Sequence, residues 1–413
     1  MRADIIVLGA GIIGVSTALH LQARGRSVCL IDRGEPGEGT SYGNAGLIER
    51  SSVIPYSFPR QFSAVAKYAL NRSSAMRYDP LYLPKIAPWL FRYWRESSPE
   101  RLAIAARAML PLVEASVREH DIFVQQAGCG DLIRGRGWVE TYRSQSGLDN
   151  AIAELPDIEP YGLRFEVLDK AKIHALEPDF GDAVQGGIHW LDPKSVIDPA
   201  GLVKAYAGLF EGRGGRFAKG DAATLRQDGR DWTVETSDGP VSASDVVVAL
   251  GPQSPMIFKG FGYRIPLAIK RGYHMHYAAE EGTELRHSLV DAEAGYVLSP
   301  MAQGIRLTTG IEFASPAAPA NTIQLDRAEH FARRIIPLGA RLDPKPWLGL
   351  RPCLPDMRPV IGAAPGHDGL WFNFGHAHHG LTIGPASGRL LAELMTDEEP
   401  FVDPKPYAAS RFR

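Results

Sequence analysis

Cysteine is scarce in this chain: Cys29, Cys129 and Cys353 are its only three in 413 residues. Their odd number and wide separation argue against a disulfide framework and point to a reducing, cytoplasmic compartment. An excess of charge is missing too, since 45 basic residues stand against 47 acidic ones and the formal net charge is −2. That balance removes the electrostatic reason to expect nucleic acid as a partner. No apolar run approaches the roughly 18 residues that a spanning helix needs. The N-terminus does not read as a signal peptide, because Ile5–Leu8 is short and glycines follow at once. The segment Tyr82–Trp94 mixes apolar, Trp and Arg residues, which leaves peripheral contact with the inner face of a membrane open beside a partly buried helix. Internal repeats and low-complexity tracts are absent as well.

What is present suits a globular protein, with 45% hydrophobic and 22% charged residues. The length exceeds what one core usually organises, so two domains are expected. The chain opens with strand Asp4–Leu8, a glycine turn, helix Ile12–Arg24 and strand Ser27–Ile31, a βαβ unit. A helical pattern runs from Tyr78 to His120, and Gly128–Thr141 looks strand-like. Within the β-rich run Gly215–Ala249, Asp228-Gly229 and Asp238-Gly239 are hairpin signals, and strand Asp245–Leu250 closes it. Alternating strands span Ala268 to Ile311, helix Leu325–Ile336 follows, and a strand pair leads to a helix from about Gly384.

Gly9-Ala10-Gly11-Ile12-Ile13-Gly14 lies between the first strand and the first helix. The first glycine permits the tight turn, the second lets backbone N–H groups approach a pyrophosphate, and the third lets helix and strand pack closely. The helix N-terminus adds unpaired donors and partial positive charge. Asp32, at the tip of the second strand and 21 residues after Gly11, can accept hydrogen bonds from ribose hydroxyls, with Arg33 beside it. These residues predict a dinucleotide site but do not separate NAD from FAD.

Three further segments resemble the D-amino acid oxidase superfamily of flavoproteins, which also holds glycine and sarcosine oxidases. They are Gly39-Thr40-Ser41-Tyr42-Gly43-Asn44-Ala45-Gly46, then Val246–Ser254 with Gly251, then Gly349-Leu350-Arg351-Pro352. The last continues through Pro355-Asp356, Pro359 and Ile361-Gly362 to Gly375-His376 and Gly380. The likeness covers essentially the whole chain, and its first loop is closest to bacterial D-amino acid dehydrogenases. Ala377 and Leu381 depart from it, standing where relatives often carry glycine and tryptophan.

The resemblance implies an α/β chain, α+β overall, with a Rossmann-like FAD-binding domain interleaved with a mixed-sheet substrate domain flanked by helices. The expected division is 1–77, 190–260 and 345–413 for FAD, and 78–189 and 261–344 for substrate. It implies FAD held non-covalently, although Cys353 lies near where sarcosine oxidases attach theirs. Ser41, Asn44, Ala45, Gly46, Gly251, Gly375 and Gly380 are expected around the cofactor, and backbone N–H groups of Gly380, Leu381 and Thr382 by flavin N1–O2.

The implied reaction takes a hydride from the α-carbon of a small D-amino acid, D-proline and D-hydroxyproline among the options. Its implied electron acceptor is left open between quinone, carrier and oxygen. Arg351 matches the family's carboxylate-binding arginine, whose planar fork suits that group. Tyr296 resembles a tyrosine that adds a second donor. Among His376, His378 and His379 the last is the candidate to tune substrate amine ionisation. A metal is not expected, because no carboxylate or thiolate stands at ligand spacing from these histidines. Rival readings are a glycine- or sarcosine-type oxidase using oxygen, an NAD-dependent dehydrogenase, and a flavin-binding protein without catalysis.

Overall fold

The computed structural model describes residues 1–61 and 68–412. Its first sheet is six-stranded, in the order Arg216–Lys219, Val28–Asp32, Ile5–Leu8, Asp245–Val248, Leu370–Phe374, Val360–Ala363. The first five strands run parallel and the last is antiparallel to its neighbour. Alternation along the strands sends side chains to opposite faces. Ile5, Val7, Val28, Leu30 and Val247 join a core with helices Ile12–Ala23, Pro99–Ala127, Pro199–Gly212 and Gly380–Met395. Ile6, Leu8, Cys29, Ile31, Val246 and Val248 point the other way, onto Trp232, Val234 and Val241. Those three belong to a small antiparallel sheet, Arg226–Asp228, Asp231–Thr236 and Gly239–Ala243, and both expected hairpin turns are found there.

The second sheet is eleven-stranded and mixed, and the long strand Ala268–Ala279 is its centre. Trp347–Cys353 pairs antiparallel with that strand, setting Arg351 opposite Lys270 and Gly349 opposite Gly272. Segments therefore cross the expected unit boundaries: Trp347–Cys353 lies in the large sheet, and Pro99–Ala127 packs on the core of the first. No helix among the described residues is long and apolar enough to cross a membrane.

The expected helix from about Gly384 begins four residues earlier, at Gly380. Pro385 obscures this in the sequence because it has no N–H to give Leu381. His120 makes good the loss: its Nε2 lies 2.7 Å from the Leu381 carbonyl and its Nδ1 2.9 Å from Tyr206 Oη. Burial lowers the His120 pKa to about 4, so the ring stays neutral, donating to one partner and accepting from the other. The expected helix Leu325–Ile336 runs instead over Ile323–Ala332, ending ahead of Pro337.

The first and last helices meet backbone to backbone. A Cβ on Gly388 would lie 2.8 Å from the Ser16 carbonyl carbon and 2.8 Å from Thr17 N. Gly388→Ala gains up to about 1 kcal/mol of helix propensity but forces the helices apart, an overpacking strain of about 1–3 kcal/mol. A net loss of stability is expected, read as a lower urea midpoint; an unchanged midpoint would show that the helices can separate freely.

Candidate active site

The glycine turn is built by close approach. Gly9 has φ +105°, and a Cβ there would lie 2.5 Å from the Ala249 carbonyl oxygen. A Cβ on Gly14 would come within 1.7 Å of Gly9 O, so this glycine lets the helix press on the turn. The Ile12 N–H donates to Ser41 Oγ at 3.1 Å, which fixes the following loop against the helix N-terminus. Asp32 accepts from Ala10 N–H at 2.7 Å and Gly34 N–H at 3.2 Å, holding its carboxylate at the strand tip.

These elements open onto a cavity of about 800 Å³. Gly9, Gly11, Ile12, Ile13, Asp32 and Arg33 line one part of it. Ser41, Asn44, Ala45, Gly251, Gly380 and Leu381 line the next, and Arg351, Tyr296, His376 and His378 also reach it. Five expected residues are not on its wall. Gly14 acts through packing. Gly46, with φ +76°, and Gly375, with φ +86°, serve turns. Thr382 Oγ1 donates to Leu47 O and accepts from Glu49 N–H, both at 3.2 Å. His379 Nε2 meets Ser52 Oγ at 2.8 Å.

Arg351 donates to the carbonyls of Gly310 at 2.8 Å and Thr309 at 3.2 Å, and no carboxylate pairs with it among the described residues. Burial lowers its pKa, opposed by Cys353 and Tyr56. Gly272 makes room for it: a Cβ there would lie 2.7 Å from the guanidinium carbon. Tyr296 is fully buried in the core of the second sheet. Burial and the neighbouring Asp291 carboxylate keep its hydroxyl protonated. Arg271 is structural, bridging to Glu312 at 3.2 Å and donating to the carbonyls of Ser315 and Pro319.

Burial lowers the pKa of His376 to about 3, of His378 well below its ordinary value, and of His379 to about 4. The fold also brings Glu49 beside two of them: ligand atoms of Glu49, His378 and His379 lie within 4.8 Å of one another. Spacing along the chain could not reveal that carboxylate.

Arg306 was equally hidden. It is buried, its Nη1 donates to the carbonyls of Tyr42 at 3.0 Å and Asn44 at 2.6 Å, and its Nε donates to His276 Nε2 at 2.9 Å. His276 Nδ1 in turn lies 2.8 Å from the Asp343 carboxylate. This chain fixes the Ser41–Ala45 loop from behind. Ala377 lines the cavity with φ +52°, the left-handed region where glycine is free, which is why the resemblance expects glycine there.

Arg306→Lys keeps the charge but loses the fork. A melting temperature several degrees lower and weaker cofactor retention through gel filtration are expected, from about 1–3 kcal/mol of lost hydrogen bonding. Wild-type retention would remove the loop-fixing role.

The comparisons with known proteins agree with this cradle. The sequence matches the family described as FAD dependent oxidoreductase (DAO) over residues 4–394. A D-amino-acid oxidase of Bradyrhizobium diazoefficiens is 30% identical, across 99% of this chain and 98% of that protein. A D-amino acid dehydrogenase of Chromohalobacter salexigens is 28% identical, across 99% of each. Among solved structures, glycine oxidase from Geobacillus kaustophilus matches with a TM-score of 0.74 at 20% identity, covering 99% of both chains. L-amino acid deaminase from Proteus myxofaciens matches with a TM-score of 0.75 at 18% identity, covering 100% of this chain and 94% of that one. The chain therefore belongs to the DAO family and is an FAD-dependent oxidoreductase.

Proposed function

We propose that the protein oxidises a small D-amino acid at its α-carbon, with Arg351 holding the substrate carboxylate. The carrying observation is a cavity-lining guanidinium that, among the described residues, donates to two carbonyl oxygens and meets no carboxylate. A half-buried cation of this kind is costly to desolvate further unless an anion joins it. The D-configuration rests on the relatives named D-amino-acid oxidase and D-amino acid dehydrogenase. Cyclic imino acids such as D-proline and D-hydroxyproline belong to the same substrate class. A quinone or carrier as acceptor suits the dehydrogenase relatives, and peroxide release measured against dye reduction separates it from oxygen.

FAD, when bound, supplies the hydride acceptor at N5. Gly9–Ile13 with the Ser41–Ala45 loop would hold its phosphates and ring, and Asp32 with Arg33 would hold its adenosine end. Gly380 and Leu381 bring the positive end of a helix to the cavity wall. Tyr296 packs this wall, and His379 steadies Ser52 and the adjoining strand. Non-covalent binding is supported by Cys353, whose thiol is buried, raised in pKa and donates to Arg351 O at 3.5 Å. A thiol held protonated is a poor nucleophile.

Arg351→Ala should raise KM for the amino acid by about thirtyfold or more, from about 2–5 kcal/mol of lost pairing, while FAD stays bound. Gly272→Ala should weaken substrate in the same sense by displacing the guanidinium. Normal kinetics in both variants would remove the carboxylate clamp. Peripheral membrane contact is supported by exposed Leu81, Phe91 and Trp94 beside Lys85, Arg92 and Arg95. Co-sedimentation with anionic vesicles, reduced by Phe91→Ser, is the expected result; a protein left wholly in the supernatant would contradict it.

A further inference from the structure

We infer that Glu49 is the second pole of the substrate site, binding the amine of the amino acid and taking its proton. The inference deepens the amino-acid reading above and rests on it.

Glu49 lines the same cavity as Arg351. It follows the short strand Leu47–Ile48, and its own N–H donates to Thr382 Oγ1 at 3.2 Å, so its backbone is fixed to the start of the last helix. No Lys or Arg pairs with its carboxylate among the described residues; its one ion-pair neighbour is His379, whose Nε2 stands 4.0 Å away. That ring is held neutral by burial and donates or accepts at Ser52 instead. The other groups around Glu49 do not neutralise it either. Ser52 offers a hydroxyl, Glu140 adds repulsion, and His378 is uncharged. Burial accordingly pushes the Glu49 carboxyl up to about 7.

Among the described residues, Arg351 thus has no carboxylate partner and Glu49 no Lys or Arg partner on the same cavity wall. The two do not form an ion pair with each other. Tyr56 feels both charges, Glu49 raising its pKa and Arg351 lowering it, and its ring lies 4.7 Å from that of His378. A free amino acid carries both complementary charges on one carbon. Its carboxylate suits Arg351 and its ammonium suits Glu49.

The chemistry gives such a partner a task. Hydride departure from the α-carbon needs the nitrogen lone pair, so the ammonium must first lose a proton. An N–H bond breaks and an O–H bond forms on Glu49, leaving the neutral amine. A carboxylate whose pKa is raised toward neutrality is a competent acceptor for that proton. His379, the residue expected to serve the amine, stands off the cavity wall with its Nε2 on Ser52 Oγ, which leaves this task to Glu49.

The test uses the flavin-loaded enzyme and two ligands that cannot be oxidised at an α-hydrogen in the site. α-Aminoisobutyrate has both charges and no α-hydrogen; isobutyrate lacks the amine. Binding is read by calorimetry and by perturbation of the flavin spectrum. The wild type should prefer α-aminoisobutyrate. Glu49→Gln should weaken that ligand by about tenfold, a charge-assisted bond becoming a neutral one, and leave isobutyrate unchanged. Glu49→Asp, which keeps the charge, should retain part of the preference. An equal effect on both ligands, or no effect, overturns the inference while the amino-acid reading stands. A wild type that binds neither ligand overturns both. Loss of the preference on adding a chelator also overturns it, because a metal ion between Glu49, His378 and His379 would then be the contact.

Discussion

A half-buried guanidinium lining the cavity, with no carboxylate paired to it among the described residues, is the constraint on which this structure turns. Complete removal of such a charge from water, as when a ligand fills the cavity, costs several kcal/mol even after relaxation, and two backbone carbonyls offset only part of that. The surrounding strands are arranged to tolerate it. Gly272 and Gly349 face each other across the ladder, and the missing side chain at Gly272 leaves the space the guanidinium occupies. The large sheet thereby presents an unpaired cation to the cavity that the glycine turn opens.

The cofactor end depends on backbone proximity. Gly9 and Gly14 bring strand, turn and helix closer than any side chain permits, and Gly388 does the same between the first and last helices. Residues more than 300 positions apart become one wall, with Asn373 donating to Thr17 Oγ1 across the join. The chain from Asp343 through His276 to Arg306 ties the large sheet to the Ser41–Ala45 loop by hydrogen bonds. Rigidity at the loop and charge at the substrate end are therefore properties of one connected framework.

Much of this was legible in the sequence because it is local. The glycine turn, Asp32, the hairpins and the Gly-Leu-Arg-Pro strand all show themselves within a few residues. Helix and strand periodicity located the elements, and failed at Gly380 because Pro385 disguised a helix whose lost hydrogen bond is replaced by His120, far away in the chain. Glu49, Gly272 and Arg306 were invisible for the same reason. Each gains its meaning from partners over 75 positions distant: Glu49 from His379, Gly272 from Arg351, Arg306 from Asn44. His379 was read as a tuning group from its residue type alone, whereas the fold turns it onto Ser52 and off the cavity wall.

The most direct measurement is anaerobic mixing of the yellow, flavin-loaded protein with matched D- and L-amino acids while its absorption is followed. The account predicts bleaching by small neutral D-amino acids or D-proline, with the L-isomers leaving the colour intact. A protein that holds no flavin, or flavin that no amino acid bleaches, would contradict it.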